Sequence, residues 1–169
     1  MNVFDLAMQM ELDSKDHYEK MRDMTPVTGL KKIFAVLADS EITHYHVFKS
    51  IKAEKSLELA AFPDLSTDLE QTKNTFTALQ INDELLGKMK TTQDGLLHAM
   101  NVEKDTISLY EDIVKTHQQH VCNSEVVPVL MKIVEEEKKH FDLLQNIHQI
   151  IDKFENFKVI HKFGKHAEI

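Results

Sequence analysis

The chain holds little with which to build a cross-linked, sheet-rich or membrane-bound protein. One cysteine, Cys122, occurs in 169 residues. An intrachain disulfide, an all-cysteine zinc site and an iron–sulfur cluster held by one chain are therefore excluded, and Cys122 reads as a free thiol near a helix junction. Four glycines and three prolines leave few places to turn, so the elements must be few and long, which means helices. Tryptophan is absent; Phe, Met and Leu supply most of the core. No apolar run approaches the roughly 20 residues that a membrane-spanning helix needs. The N-terminal stretch MNVFDLAMQMELDSKD is acidic where a signal peptide is basic, so the chain is expected in the cytoplasm. Positive charge is scarce as well. Lys and Arg number 20 against 28 Asp and Glu, a net charge of −8, which disfavours nucleic acid and anionic membranes as partners.

What is present is ordinary in amount: 42% hydrophobic and 28% charged residues, enough for one domain with a substantial core. Apolar groups recur at helical spacing over residues 3–23, through Val3, Leu6, Ala7, Met10, Ser14, His17, Tyr18 and Met21. Met24-Thr25-Pro26 stops this helix, and Pro26 opens the next. The second helix runs to about residue 58 along Leu30, Ile33, Phe34, Leu37, Glu41, His44, Phe48 and Ile51, with Gly29 a weak point near its start. A long connection follows over about 60–92. In it, Thr67-Asp68-Leu69-Glu70 matches a capping box for a short helix over 68–79, and Asn82-Asp83 opens another short segment. A third long helix is expected from about 93 to 120 along Leu97, Met100, Glu103, Ile107, Tyr110 and Val114. His120–Ser124 is the turn. Ser124 caps a fourth helix, with Pro128 tolerated in its first turn. That helix runs to about 155, through Val129, Leu130, Ile133, Val134, Glu137, His140, Phe141, Leu144, Ile147 and Ile151. The expected fold is all-α: a four-helix bundle over residues 1–155 with one long crossover between its second and third helices, and a C-terminal tail over 156–169.

One polar pattern appears twice along this framework. The first copy reads Glu11-x-x-Ser14-x-x-x-Tyr18-Glu19 and then Glu41-x-x-His44. The second reads Glu103-x-x-Thr106-x-x-x-Tyr110-Glu111 and then Glu137-x-x-His140. Residues three, four and seven apart share one face of a helix, so all four Glu and both His fall on the apolar stripes and project inward. An isolated carboxylate buried there costs several kcal/mol or about that. Two divalent cations carry as much positive charge as four carboxylates carry negative, and two neutral imidazoles add one nitrogen ligand per metal. Such oxygen-rich donor sets suit iron or manganese better than structural zinc. Glu41 and Glu137 are then the bridging carboxylates, and Glu11 and Glu103 the terminal ones. Tyr18 and Tyr110, two turns beyond, can each hydrogen-bond an opposing Glu, or can simply be core tyrosines satisfied by any acceptor.

A lone Glu-x-x-His on a helix usually lies on a solvated face. The weight here rests on two of them with duplicated flanks. His46, His98, His117, His120, His148, His161 and His166 have no matching partners and read as surface or core histidines. In Glu135-Glu136-Glu137, one ligand is flanked by two solvated neighbours.

These residues resemble the ferritin-like di-iron superfamily, and within it the rubrerythrin-like branch. Leu37-Ala38-Asp39-Ser40-Glu41-Ile42-Thr43-His44 and Val134-Glu135-Glu136-Glu137-Lys138-Lys139-His140 look like its second- and fourth-helix signatures. The resemblance covers most of residues 1–155. Two departures stand out. Many rubrerythrins carry a second Glu one turn after the third-helix ligand, where this chain has Thr106. Many also carry a rubredoxin domain with paired Cys-x-x-Cys motifs, which a single cysteine cannot supply. The resemblance implies two bound iron ions, with manganese or zinc as alternatives. It also implies redox chemistry on peroxide, oxygen or ferrous iron, with electrons from an external donor protein and a homodimeric assembly. Iron binding or buffering without turnover, and a structural bundle with a vestigial site, are the competing readings.

Overall fold

The computed structural model describes residues 3–53, 83–118 and 126–164, the stretch beyond Lys153 as backbone. Five helices and no strand lie among the described residues: α1 (Val3–Met24), α2 (Thr28–Lys52), α3 (Asp83–Lys90), α4 (Gln93–Gln118) and α5 (Val126–Gly164). None is long and apolar enough to cross a membrane. The helix expected over 68–79 and the turn with Cys122 and Ser124 lie outside the described residues.

The bundle is two helical hairpins. α1 packs along α2 and α4 along α5, while α1 meets α4 and α2 meets α5 across the middle. The first hairpin closes through three residues. The amide of Thr25 donates to the Met21 carbonyl at 3.0 Å, and the Val27 carbonyl accepts from Lys31, also at 3.0 Å. Val27 is the residue before α2 and offers no side-chain cap. α2 thus begins two residues after Pro26 rather than at it, because Val27 adopts an extended backbone. At its other end α2 stops at Lys52, short of 58. The Lys52 ammonium pairs there with Asp5 of α1, and the amide of Ala53 bonds back to Lys49 at 3.1 Å.

The expected stripes are the buried faces. In α1 they are Ala7, Glu11, Ser14, Tyr18 and Met21; in α4, Leu96, Ala99, Glu103, Thr106, Tyr110, Ile113 and Val114. Leu97, read as core, is exposed, since Leu96 occupies the stripe and Leu97 falls about 100° round the helix from it. Val3 is exposed too. Pro128 sits in the first turn of α5, where its missing N–H has no helical acceptor to serve. α5 runs on to Gly164, so residues 156–164, assigned to a tail, continue the helix. After Pro128 no Gly or Pro occurs in it until Gly164.

Two apolar clusters form the core. One gathers Tyr18, Leu30, Phe34, Leu37, Leu144 and Ile147. The other gathers Ala7, Phe48, Tyr110, Leu130, Ile133 and Val134. In α2 and α5 the Glu-x-x-His pairs lie along the chain between residues of the first cluster and residues of the second. The polar belt is therefore flanked by apolar packing on both sides, which keeps water away from it.

Candidate metal centre

Each long helix except α3 delivers part of the belt. α1 brings Glu11, α2 brings Glu41 and His44, α4 brings Glu103, and α5 brings Glu137 and His140. All six are 2% exposed or less. Their ligand atoms converge in two groups. Glu11, Glu41, His44 and Glu137 form one, and Glu41, Glu103, Glu137 and His140 the other, each with its ligand atoms within 4.8 Å of one another. Glu41 and Glu137 belong to both groups. Glu11 and Glu103 belong to one each.

The two imidazoles are interleaved with carboxylates of their own and of neighbouring helices. His44 Nδ1 lies 2.9 Å from Glu137 Oε1 and 3.7 Å from Glu11 Oε2. His140 Nδ1 lies 3.1 Å from Glu41 Oε1 and 3.0 Å from Glu137 Oε2. The rings stack at 5.8 Å between centroids. Despite this crowding, Glu11 Oε2, Glu41 Oε1, His44 Nδ1 and Glu137 Oε1 are buried without a hydrogen-bond partner. These atoms are thus brought to contact distance without the alignment for hydrogen bonds among them. An orphaned buried polar atom costs about 1–3 kcal/mol, and a cation among these four would satisfy them together. The donor set therefore fits divalent metals.

Burial, reinforced by Glu137 and the other carboxylates, holds Glu41 and Glu103 well above the usual carboxylate range. Burial also opposes the charged form of His44. Glu137, Glu11 and Glu136 outweigh it and hold this imidazole well above the usual histidine value. Glu137 moves the other way: burial would raise it, but His44 and His140 on either side hold it well below the usual range. Without metal, protons take the place of cations in the belt.

The tyrosines reach across between the hairpins. The Tyr18 hydroxyl of α1 donates to Glu103 of α4, and the Tyr110 hydroxyl of α4 donates to Glu11 of α1. Burial and the neighbouring carboxylates keep both phenols well above their usual pKa, so they remain donors.

Glu136 was read from sequence as a solvated neighbour. It is instead half-buried, and its Oε2 accepts from His44 Nε2 at 2.8 Å. This fixes the tautomer of His44 and turns Nδ1 toward the carboxylates. Its own pKa is lowered: burial pushes it up, and the His44 contact more than reverses that. The available signal was its position directly before Glu137, beside the buried stripe. Glu135 is exposed, as expected. Thr106 is buried with an unpartnered hydroxyl. His17 and His98, which lacked partners in the sequence, stand ring to ring at 4.8 Å. His148 pairs with Asp152 at 3.2 Å, and His117 Nδ1 donates to the Ile113 carbonyl at 2.9 Å.

An all-α bundle with a buried belt of four carboxylates and two imidazoles, split into two groups that share two carboxylates, belongs to the ferritin-like class of di-metal proteins. The sequence model of the family described as Rubrerythrin matches residues 2–148, and the chain belongs to that family. No curated protein and no solved structure matches it significantly.

Proposed function

We propose that the belt binds two iron ions, with manganese as the alternative, and that the loaded protein reacts with peroxide or oxygen. One observation carries the reading: Glu41 and Glu137 are the only residues common to both ligand groups among the described residues, the arrangement that two carboxylate-bridged metals require. Glu11 and His44 would complete one metal's ligands, and Glu103 and His140 the other's. Two redox-active metals held by these residues would supply the two electrons that reduction of an O–O bond takes, and the donor that restores those electrons would be a separate protein.

The side chains have their own tasks in this scheme. Glu136 holds the His44 ring in register. Tyr18 and Tyr110 keep Glu103 and Glu11 oriented and carry a proton each at the edge of the belt. The apolar clusters exclude bulk water, which strengthens every charge interaction inside. Reduction of hydrogen peroxide to two waters takes two electrons and two protons, and the phenols are the nearest hydroxyl donors to Glu11 and Glu103 on the described helices.

The test is anaerobic reconstitution with ferrous iron, followed by metal analysis and optical spectra before and after peroxide. Two irons per chain and consumption of peroxide are expected, both lost in Glu41→Ala and Glu137→Ala. Thr106 favours a second reading, iron holding without turnover. It stands where many rubrerythrins carry a further carboxylate, so this centre has six protein ligands. Bound iron inert to both peroxide and oxygen selects that reading, and a protein that takes up no metal rejects both.

A further inference from the structure

Beside the belt, a cavity of about 70 Å³ opens on the seam between α1 and α4. Asp13 and His98 are exposed at its mouth and His17 is half-buried behind them, while Ser14, Tyr18 and Ala99 are buried at its floor. The floor ends on Tyr18, whose hydroxyl is bonded to Glu103. From solvent to belt the polar groups are a carboxylate, two imidazoles, an aliphatic hydroxyl and a phenol.

We propose that this cavity is the route by which divalent cations enter the centre, with Asp13, His98 and His17 as transit ligands; the inference rests on the metal-binding reading above. Three features point to a cation rather than to a neutral molecule. First, the wall supplies lone pairs. His17 Nε2 donates to the Gly95 carbonyl at 3.2 Å, which leaves Nδ1 as the nitrogen with the free pair. Burial, together with the nearby charges of His98 and Lys20, lowers the pKa of His17 and favours its neutral form. Second, among the described residues only the two groups at the centre converge tightly, so the three transit residues do not close around an ion and would pass it on. Third, the duplicated pattern provides an internal comparison. At the positions of the other copy that correspond to His17 and His98 stand Leu109 and Leu6 respectively. The imidazoles are therefore not required by the bundle itself.

The test uses metal-free protein mixed rapidly with Co²⁺ alone, followed by the visible absorption of the bound ion. The double variant His17→Leu/His98→Leu gives this seam the residues of its counterpart. Uptake is expected to slow by about tenfold, which corresponds to roughly 1.4 kcal/mol on the entry barrier, with the final cobalt content unchanged. Because an inward leucine can disturb folding, His98→Trp at the exposed mouth serves as the second variant, with slowing in the same direction expected. Unchanged uptake rates in folded variants overturn the route. A lower final cobalt content in the variants also overturns it, since the histidines would then hold an ion rather than pass one. If the unaltered protein takes up no cobalt, the metal-binding reading itself fails.

Discussion

The two hairpins carry the same ligand pattern but surround it differently. In α1–α2 the residue before Glu41 is Ser40, buried; in α4–α5 the residue before Glu137 is Glu136, which reaches back to His44. Among the described residues no carboxylate does the same for the far nitrogen of His140. His17 and His98 line the cavity on the α1–α4 seam, and Leu109 and Leu6 hold the corresponding positions of the sequence repeat. The six candidate ligands repeat, while the residues around them do not. A symmetric donor set thus lies in an asymmetric shell, and the shell is where one site can be made to differ from the other.

The comparison can be broken most severely at the shared residues. Glu41→Ala and Glu137→Ala each remove a ligand from both groups, and metal analysis should find both ions lost. Glu11→Ala and Glu103→Ala touch one group each, so about one ion per chain should remain. Equal losses in all four variants would mean that the two groups are not separable sites.

A smaller effect distinguishes the two histidines. Glu136→Gln should weaken binding of one ion by about 10- to 100-fold, the usual cost of losing a carboxylate behind a ligating imidazole. Ser40→Ala should leave both affinities nearly unchanged. Competitive titration against a chelator reads the difference directly.

Smaller still is the contribution of the crossed tyrosines. Tyr18→Phe and Tyr110→Phe each leave a buried carboxylate oxygen without its donor. Each should destabilise the metal-free protein by about 1–3 kcal/mol in urea unfolding. The Tyr110 hydroxyl also lies 3.5 Å from the Ala7 carbonyl, a long contact that should add little, so the two costs should be similar. A marked inequality would extend the asymmetry to this layer.

The gentlest probe is pH. In the metal-free protein Glu41 and Glu103 keep their protons above 4.5, the value at which an unfolded Glu loses its own. The folded state then binds more protons than the unfolded one, so stability falls as pH rises above about 4.5. His44 acts in the same sense, its contribution complete below 6.5 and lost above it. Glu137, held low, acts oppositely, but its contribution is lost only as pH falls through the carboxylate range. Metal binding displaces the retained protons, so affinity should rise over the same interval. Denaturation of chelator-treated protein across this range, and calorimetry in two buffers of different ionisation enthalpy, check the two halves of the statement.

Much of this molecule was legible in one dimension. Helical periodicity located all four long helices, and the stripe in α1 that includes Glu11 and Tyr18 is the buried face residue for residue at Ala7, Ser14 and Met21. The six acidic and imidazole groups of the centre could be named because identical spacing on amphipathic helices forces them inward. Helix ends were less legible. α2 stops where Lys52 meets Asp5 of another helix, and α5 continues because nothing halts it, neither of which a local pattern encodes. Glu136 was missed for a related reason. Its role depends on the distance from α5 to α2, not on its neighbours in sequence.

The sequence by itself determined the fold class, the inward direction of six donors and their charge, because the helical repeat and the cost of burying a carboxylate are local facts. The roles of Glu41 and Glu137 as the shared pair were expected from their Glu-x-x-His spacing. Only the tertiary structure decided between the two readings of Tyr18 and Tyr110, and only it decided that Glu136 stands behind His44 and that His17 and His98 meet over a cavity. Each of these is a distance between helices, and such distances are set when two hairpins pack around one core.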